Sequence, residues 1–244
     1  MLKQQPEAQC NRIALLGIEY NASRAGKGVS SMRRKMVLLS ALLAILLIAA
    51  FACWPRRADL RAFDSAGMAR LETAMWRDYY EKRYGALFYH LYELSRTQFG
   101  FSPLDSFRIA LAAAGAAKAF QPTRSRSEAA VALPELAAYY ALLRPAAPVA
   151  LDDEKLARLE LDWWQARREA TGPRDYGRTI AEVAALTYGK SPDDPAIAAS
   201  GIARAEAMAY RDARREGMTE RDWAEIERQL LQAYKLLKAG IGGS

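Results

Sequence analysis

The amino-acid sequence predicts an all-α protein in which a single N-terminal transmembrane helix precedes a helical bundle. The first observation is an apolar run without any charge, Met36 to Trp54. The second is that no segment alternates polar and apolar residues for long enough to form a strand. The third is that helix-capping and helix-breaking residues divide residues 55–244 into segments of helix length.

Residues 36–54 read MVLLSALLAILLIAAFACW, and at ~1.5 Å per residue such a helix crosses a hydrocarbon core of ~30 Å. Residues 1–35 carry seven Lys and Arg against two Glu, a net charge of 7 − 2 = +5. Basic flanks stay on the cytoplasmic side of a membrane. We therefore expect a cytoplasmic N-terminus, with residues 55–244 outside the inner (plasma) membrane of a bacterial-type cell. The bacterial assignment rests on the Ala-, Arg- and Leu-rich composition.

The same apolar run has three other interpretations. Residues 50–52 fit the small-residue pattern before a signal-peptidase cut, with translation starting at Met32 instead of Met1. Cys53 resembles the cleavage and lipidation site of a lipoprotein. The paired arginines before the run partly match a twin-arginine signal. Each of these alternatives also places the large domain on the far side of the membrane.

The charge distribution argues against a nucleic-acid partner. The chain has 35 Lys and Arg and 28 Asp and Glu, of which 7 and 2 lie in residues 1–35. Since residues 36–54 are uncharged, residues 55–244 keep 28 basic and 26 acidic residues, a net charge of +2 with interleaved signs. No basic stripe stands out. We expect the basic arm, which shows no helical or strand period and is predicted to be disordered, to attract anionic headgroups of the lipid bilayer.

Cysteine and histidine usage limits the chemistry of the large domain. Cys10 and Cys53 are predicted on opposite sides of the membrane, so they cannot pair. Residues 55–244 contain no cysteine, and His90 is the only histidine of the chain. A zinc site with the usual nitrogen and sulfur ligands is therefore not expected. We predict no metal and no cofactor.

Helix signals follow one another along residues 55–244. Asp64 or Ser65 can cap a long first helix, in which the apolar spacing is broken near Gly85, and Ser102-Pro103 starts an Ala-rich helix. Asp152 or Asp153 can cap the helix from Glu154, and Thr219 caps the last helix, with Asp222 in the capping-box position. We expect Gly240 to end the last helix. The predicted helices span residues 65–98, 103–120, 134–144, 154–171, 175–188, 192–217 and 220–238.

The two halves of the large domain resemble each other, because three patterns recur in the same order. These patterns are Arg-Leu-Glu-x-x-x-Trp-x-x-x-x-Glu from Arg70 and from Arg158, aromatic-Gly-x-Ser-Pro at 99–103 and 188–192, and Tyr-x-Leu-Leu from Tyr140 and from Tyr234. The sequence thus predicts two duplicated three-helix units, at about 65–144 and 153–238. Paired units would bury the apolar face of each in a pseudo-twofold bundle of six or seven helices. The alternative is a short α-solenoid.

The repeated Arg-Leu-Glu-x-x-x-Trp pattern contains the candidate acids. Glu72 and Trp76 lie one turn apart on one helix face, as do Glu160 and Trp164. Two buried carboxylates can share a proton, so Glu72 and Glu160 are weak candidates for paired acids of an enzyme. In the structural interpretation, each Trp anchors the core and each Glu pairs with the Arg two residues before it. Carboxylate-bridged metal bundles need Glu-x-x-His pairs, which the chain lacks.

His90 is a weak candidate for a general base or a haem ligand. Its counterpart in the second half is Thr179, so the shared architecture does not need a histidine at this position. The alternative is a structural or surface role.

Aromatic residues are concentrated on the first long helix. They predict either a groove for an apolar ligand or packing of large side chains against the Ala-rich helix 103–120. The candidates for the ligand groove are Trp76, Tyr80, Phe88, Tyr92 and Trp164.

These patterns favour a protein without enzymatic activity. No Gly-x-Ser-x-Gly elbow, phosphate loop or dinucleotide fingerprint occurs in the chain. The leading hypothesis is a membrane-anchored interaction or assembly factor that binds a protein partner or a second copy of itself. The first alternative is a carrier that holds a lipid or another apolar molecule between helices. The second alternative is an enzyme that uses Glu72 and Glu160.

Overall fold

The computed structural model describes residues 32–52, 54 and 56–242 in two units, which are presented separately. The first unit is helix α1, Met32–Ala52, which is long and apolar enough to cross a membrane. It begins four residues before the predicted start, because the basic residues 33–35 continue the helix. It ends two residues early, since the position before Pro55 disfavours helical backbone. The predictions for residues 1–31, Cys10 among them, and for cleavage or lipidation at Cys53 lie outside the described residues.

The second unit, the helical body, contains no strand within residues 56–242, which confirms the predicted all-α class. Eight long helices and one short helix follow each other. They are α2 (Ser65–Tyr80), α3 (Tyr84–Gln98), α4 (Pro103–Phe120), α5 (Arg126–Ala129), α6 (Leu133–Leu143), α7 (Asp153–Arg168), α8 (Pro173–Tyr188), α9 (Pro195–Arg214) and α10 (Glu220–Gly242).

The eight long helices form a closed ring. Each packs mainly on its neighbours in chain order, and α10 returns to pack on α2. The short α5 lies between α4 and α6 in the chain and also contacts α7. Every long helix except α3 buries apolar residues, and buried residues such as Met68, Leu156 and Ile226 belong to one apolar cluster. The ring therefore surrounds a common internal space.

The capping residues predicted from the sequence begin their helices. The Asp64 carboxylate accepts a hydrogen bond from the Gly67 N–H at 2.7 Å, and Asp152 caps α7 through the Lys155 N–H at 3.0 Å. Ser102 caps α4 ahead of Pro103. Since caps satisfy N–H groups that have no partner inside the helix, these short polar residues decide where the helices start.

The predicted helix 65–98 is wrong, because the chain forms two helices there. After α2, Lys82 adopts a left-handed backbone conformation with φ of 58°, and the Arg83 N–H donates to the Asp78 carbonyl at 2.8 Å. Ala170 has the matching conformation, with φ of 55°, between α7 and α8. Gly85, near which the sequence suggested a break, lies inside α3. A Cβ added at Gly85 would have no neighbouring atom within 4 Å. The turn is therefore made by residues that carry no glycine or proline signal.

The predicted ends of the last two helices are also corrected. Ser191-Pro192 does not open α9; the helix begins at Pro195, and the Asp194 carboxylate caps it through the Ala196 and Ile197 N–H groups. Gly240 does not end α10, which continues to Gly242. A Cβ at Gly240 would lie 2.7 Å from Ile197 Cδ1, so this glycine serves close packing of α10 on α9. The sequence alone does not distinguish a glycine that ends a helix from a glycine that allows two helices to pack closely.

Within residues 56–242, the two segments that the sequence matched contain four long helices each, not three. The first segment holds α2, α3, α4 and α6, and the second holds α7 to α10. The ring accordingly has eight long helices where six or seven were expected. The duplication itself stays a prediction.

Candidate functional site

The interior of the ring contains a cavity of about 280 Å³. Its wall is supplied by α4, by α6 to α10 and by Leu60 and Phe99 outside the helices, and it is mostly apolar. Polar and aromatic side chains form one part of the wall. These side chains include Tyr139, Glu160, Trp163, Trp164, Tyr188 and Arg204.

Glu72 joins α2, α9 and α10 beside this cavity. Its carboxylate, 2 % exposed, accepts hydrogen bonds from Arg204 Nε at 2.8 Å and Nη2 at 2.5 Å, and from the Tyr234 hydroxyl at 2.5 Å. Burial works against the charge of Arg204, but the carboxylate of Glu72 outweighs it and raises the pKa of the guanidinium. Burial, followed by the charge of Glu72, raises the pKa of Tyr234 well above its ordinary value. The guanidinium therefore stays charged, and the phenol stays a donor.

Glu160 makes the matching contacts from α7. Its carboxylate accepts a hydrogen bond from the Tyr140 hydroxyl at 2.8 Å and another from the Trp164 indole N–H at 3.1 Å. Burial, and then the charge of Glu160, raises the pKa of Tyr140 well above its ordinary value. Unlike Glu72, Glu160 is held by two uncharged donors.

The two carboxylates are bound reciprocally across the ring. Glu72 lies in the first matched segment and binds Tyr234 of the second, whereas Glu160 lies in the second and binds Tyr140 of the first. Both carboxylates act electrostatically on Arg204, which raises its pKa. The structure thus brings the two candidate acids to one interior region.

The predicted arginine partners of these acids are wrong. Arg158 pairs with Glu154 at 3.5 Å, and Arg70 is exposed on α2. The actual partner of Glu72 is Arg204, which sequence reasoning missed. Arg204 lies on α9 among alanines and follows no motif, so only its position in the ring identifies it.

Both candidate acids act as acceptors for side chains of the protein. Each of the four carboxylate oxygens of Glu72 and Glu160 accepts at least one hydrogen bond. The two carboxylates therefore act as hydrogen-bond acceptors that connect helices of the ring.

Three of the five groove candidates lie together. Trp76, Tyr80 and Trp164 line a second space of about 210 Å³ between α2, α4 and α7, where Ala117 supplies the small residue of the Ala-rich helix. Trp163 and Trp164 line both this groove and the central cavity. The two spaces therefore share these two tryptophans in their walls.

The other two groove candidates lie elsewhere on α3. Phe88 packs edge-to-face against Phe107 of α4, with ring centres 5.4 Å apart. Tyr92 is half-buried on α3 and lines neither space. The sequence could not separate these residues from the groove, because it placed all of them on one continuous helix.

His90 takes part in the turn between α2 and α3. Its Nδ1 lies 2.7 Å from Oδ2 of Asp78, and the same buried carboxylate pairs with Arg83 at 2.7 Å. Asp78 is 2 % exposed. His90 therefore contributes to a buried polar cluster that holds the unpredicted turn, away from the cavity.

Several donors around the cavity lack a partner among residues 56–242. The Trp163 indole N–H is buried without an acceptor. Arg204 uses Nε and Nη2 on Glu72, which leaves Nη1 unbonded to any described residue, and the Tyr139 hydroxyl makes no hydrogen bond to this part of the chain. Burial raises the pKa of Tyr139, which keeps its phenol protonated. Buried polar groups are normally paired, so the Trp163 indole N–H marks the wall as chemically incomplete.

Among the described residues, no three His, Cys, Asp or Glu side chains are placed to hold a metal ion. No protein family, curated protein or solved structure matches the chain. The function is therefore argued from the cavity and its wall.

Proposed function

We propose that the helical body binds a small, largely apolar molecule in its central cavity. The observation that carries this proposal is a cavity of about 280 Å³ inside a closed ring of helices, with one polar region in an otherwise apolar wall. Small-molecule sites have this character, with volumes of about 300–1,000 Å³ and a few placed polar groups. The function is that of a carrier or sensor, and the acids Glu72 and Glu160 shape the wall.

The proposal includes an arrangement at a membrane. In it, α1 is a single span, the N-terminus is cytoplasmic and the helical body lies outside the inner membrane. The net charge of +5 on residues 1–35 supports this orientation. Protease added to right-side-out spheroplasts should digest the helical body, together with a known external marker. Digestion of the marker alone would overturn the orientation. In a separate measurement, the intact mass of the extracted chain distinguishes an uncleaved anchor from a chain trimmed or acylated at Cys53.

The cavity is also the centre of a proposed internal duplication. The reciprocal pairs Glu72–Tyr234 and Glu160–Tyr140 support it, because a pseudo-twofold axis through the ring would produce them. The left-handed turns at Lys82 and Ala170 are a second, independent correspondence. In this arrangement the cavity lies where the two halves meet, a common position for ligand sites.

A co-purified molecule is the direct test. The full chain, extracted in a mild detergent, is treated with organic solvent and the extract is analysed by mass spectrometry. We expect one reproducible small molecule from the natural chain and a strongly reduced amount from Ala184→Leu, which adds three carbons at the cavity wall. The control is Ala138→Leu at an exposed position of α6. Equal recovery from both variants, or no molecule from any of them, would overturn the proposal.

A protein-interaction function is the second candidate. Ser95 is the one buried residue of the described helix α3. Helix α8, which is second in its matched segment as α3 is in the other, buries Tyr176 and Ile180 among others. Beside α3, Phe107 and Leu111 of α4 are exposed. This apolar surface favours a protein partner with an apolar face of its own. Gentle solubilisation should return such a partner in a stoichiometric amount, and a clean monomer would count against this candidate.

A further inference from the structure

On the basis of the proposed function, we infer that the molecule in the central cavity is uncharged and carries a carbonyl-type acceptor oxygen. The inference concerns the chemical class of the ligand, and three features of the wall support it. They are the unpartnered donor, the net charge around the cavity and the further donors that line it.

The polar groups still free at the wall are suited to an acceptor. The Trp163 side chain is 93 % buried, since 7 % is exposed, and its indole N–H can only donate. Arg204 has an unbonded Nη1, which is also only a donor. The Tyr139 hydroxyl is protonated and is not committed to any described acceptor. A ligand oxygen that accepts from the Trp163 N–H would satisfy a buried donor that the described protein leaves unpaired, and Arg204 and Tyr139, which line the same cavity, offer further donors.

The charge around the cavity disfavours an anion. The network contains two acidic side chains, Glu72 and Glu160, and one basic side chain, Arg204, so its formal charges sum to −1. The single guanidinium is already paired with Glu72. A carboxylate ligand would therefore meet the field of Glu160 without an unpaired cation to balance it, and like charges in a buried site repel strongly.

The same wall disfavours a cation. The donors of the wall disfavour it, whereas each oxygen of Glu160, which accepts one hydrogen bond from Tyr140 or Trp164, could accept another. An ammonium group would also lie near the Arg204 guanidinium and leave the indole N–H of Trp163 without an acceptor. An uncharged ketone, quinone, ester or amide avoids both costs, and its apolar part fits the aromatic and aliphatic remainder of the wall.

Four probes of similar shape separate these classes. They are acetophenone with a carbonyl, benzoate with a negative charge, benzylammonium with a positive charge and ethylbenzene with neither. Binding is measured by isothermal titration calorimetry on the full chain in lipid nanodiscs, and titration of empty nanodiscs is subtracted. We expect acetophenone to bind at least about fivefold more tightly than each of the others, as one hydrogen bond of about 1 kcal/mol implies.

The outcomes separate this inference from the proposed function. Tightest binding of benzoate or benzylammonium, or equal binding of ethylbenzene and acetophenone, overturns the carbonyl class while the cavity remains a binding site. If no probe binds and the natural chain also releases no molecule into organic solvent, the inference and the proposed function fail together.

Variants of the donors test the recognition directly. Tyr139→Phe removes one hydroxyl, and Trp163→Phe removes the indole N–H together with part of a buried ring. Neither breaks a hydrogen bond to a described residue, and a thermal transition shows whether each variant is folded. Each should weaken acetophenone binding by about fivefold. The control is Tyr188→Phe, which also lies at the cavity but loses a hydroxyl that already donates to the Leu60 carbonyl at 3.1 Å. Unchanged affinity in both donor variants would overturn the inference.

Discussion

Tyr234 and Glu72 lie 162 positions apart in the chain, and the phenol of Tyr234 donates a hydrogen bond of 2.5 Å to the carboxylate of Glu72. This contact joins α10 to α2 and so closes the ring of helices. Tyr140 makes the corresponding contact with Glu160 on the other side. The polar network therefore has two consequences, because it shapes the cavity wall and also connects the ends of the helical body.

Removal of the ring-closing hydroxyl should destabilise the fold. We expect Tyr234→Phe to lower the free energy of unfolding by about 1.5–3 kcal/mol, the range for a buried hydrogen bond to a charged group. Tyr140→Phe should cost less than Tyr234→Phe, since Glu160 is less buried than Glu72. Urea denaturation of the full chain measures both. Tyr139→Phe is the control. If it lowered the free energy of unfolding as much as Tyr234→Phe does, the stabilising role of the Tyr234–Glu72 hydrogen bond would be contradicted.

The ion pair of Glu72 and Arg204 should behave as one unit. Glu72→Gln removes the hydrogen-bonded countercharge of the Arg204 guanidinium, and a broken buried pair costs about 3–5 kcal/mol. Arg204→Met should be similarly harmful, because it leaves Glu72 unpaired.

The double variant Glu72→Gln/Arg204→Met should be more stable than the sum of the single losses implies, by about 1–3 kcal/mol. A double-mutant cycle in urea measures this coupling energy. Strict additivity would show that the two side chains stabilise the ring independently.

Close contact of α8 and α9 depends on glycine at position 201. A Cβ there would lie 2.7 Å from the Ala181 backbone nitrogen, so the helices would have to separate. Gly201→Ala should therefore lower the free energy of unfolding by about 1–3 kcal/mol, as overpacked cores do. The matched control is Gly85→Ala on α3, where no atom lies within 4 Å and a gain of about 0.5–1 kcal/mol is expected. Thermal denaturation of both variants provides the comparison. Equal changes in stability would argue against close packing of α8 and α9 at Gly201.

The cap of α10 should give a pH-dependent contribution to stability. The hydrogen bond from the Thr219 hydroxyl, aided by the Thr219 N–H, lowers the pKa of Asp222 to about 2. A lowered pKa in the folded state stabilises the fold above the unfolded value of about 3.9, and this contribution disappears as the pH falls through about 2.

The stability difference between the natural chain and Asp222→Asn should therefore be constant above about pH 5 and shrink towards pH 2. Urea denaturation at several pH values measures this difference. Asp193→Asn, at an exposed carboxylate without a hydrogen bond to a described residue, should show no such trend. A difference that persists at low pH would exclude the cap as its source.

Local signals in the sequence were sufficient for much of the secondary structure. Asp64, Ser102 and Asp152 begin helices where their side chains predict them, and Thr219 forms the expected capping box with Asp222. These signals act within one helical turn, so a local pattern contains the whole interaction. The turn at Lys82 was missed because its cause, the buried cluster around Asp78, lies partly on the next helix.

The candidate site was predictable only in part. The repeated Arg-Leu-Glu-x-x-x-Trp pattern contains Glu72 and Glu160, which lie in one interior region, and the groove candidates Trp76 and Trp164 line the smaller space. Their partners could not be inferred, since Arg204 belongs to no pattern and reaches Glu72 from 132 positions away. A continuous helix over 65–98 would place Phe88 and Tyr92 with the groove residues of α2, whereas the turn at Lys82 separates them.

By itself, the sequence determined the helical class, the apolar N-terminal helix and most helix starts, because periodicity and caps depend on residues a few positions apart. Closure of the ring, the wall of the cavity and the pairing of Glu72 with Arg204 and Tyr234 were decided only by the tertiary structure. Those features arise when eight helices pack together and bury charges that need partners, and partners chosen in three dimensions leave no fixed spacing in the chain.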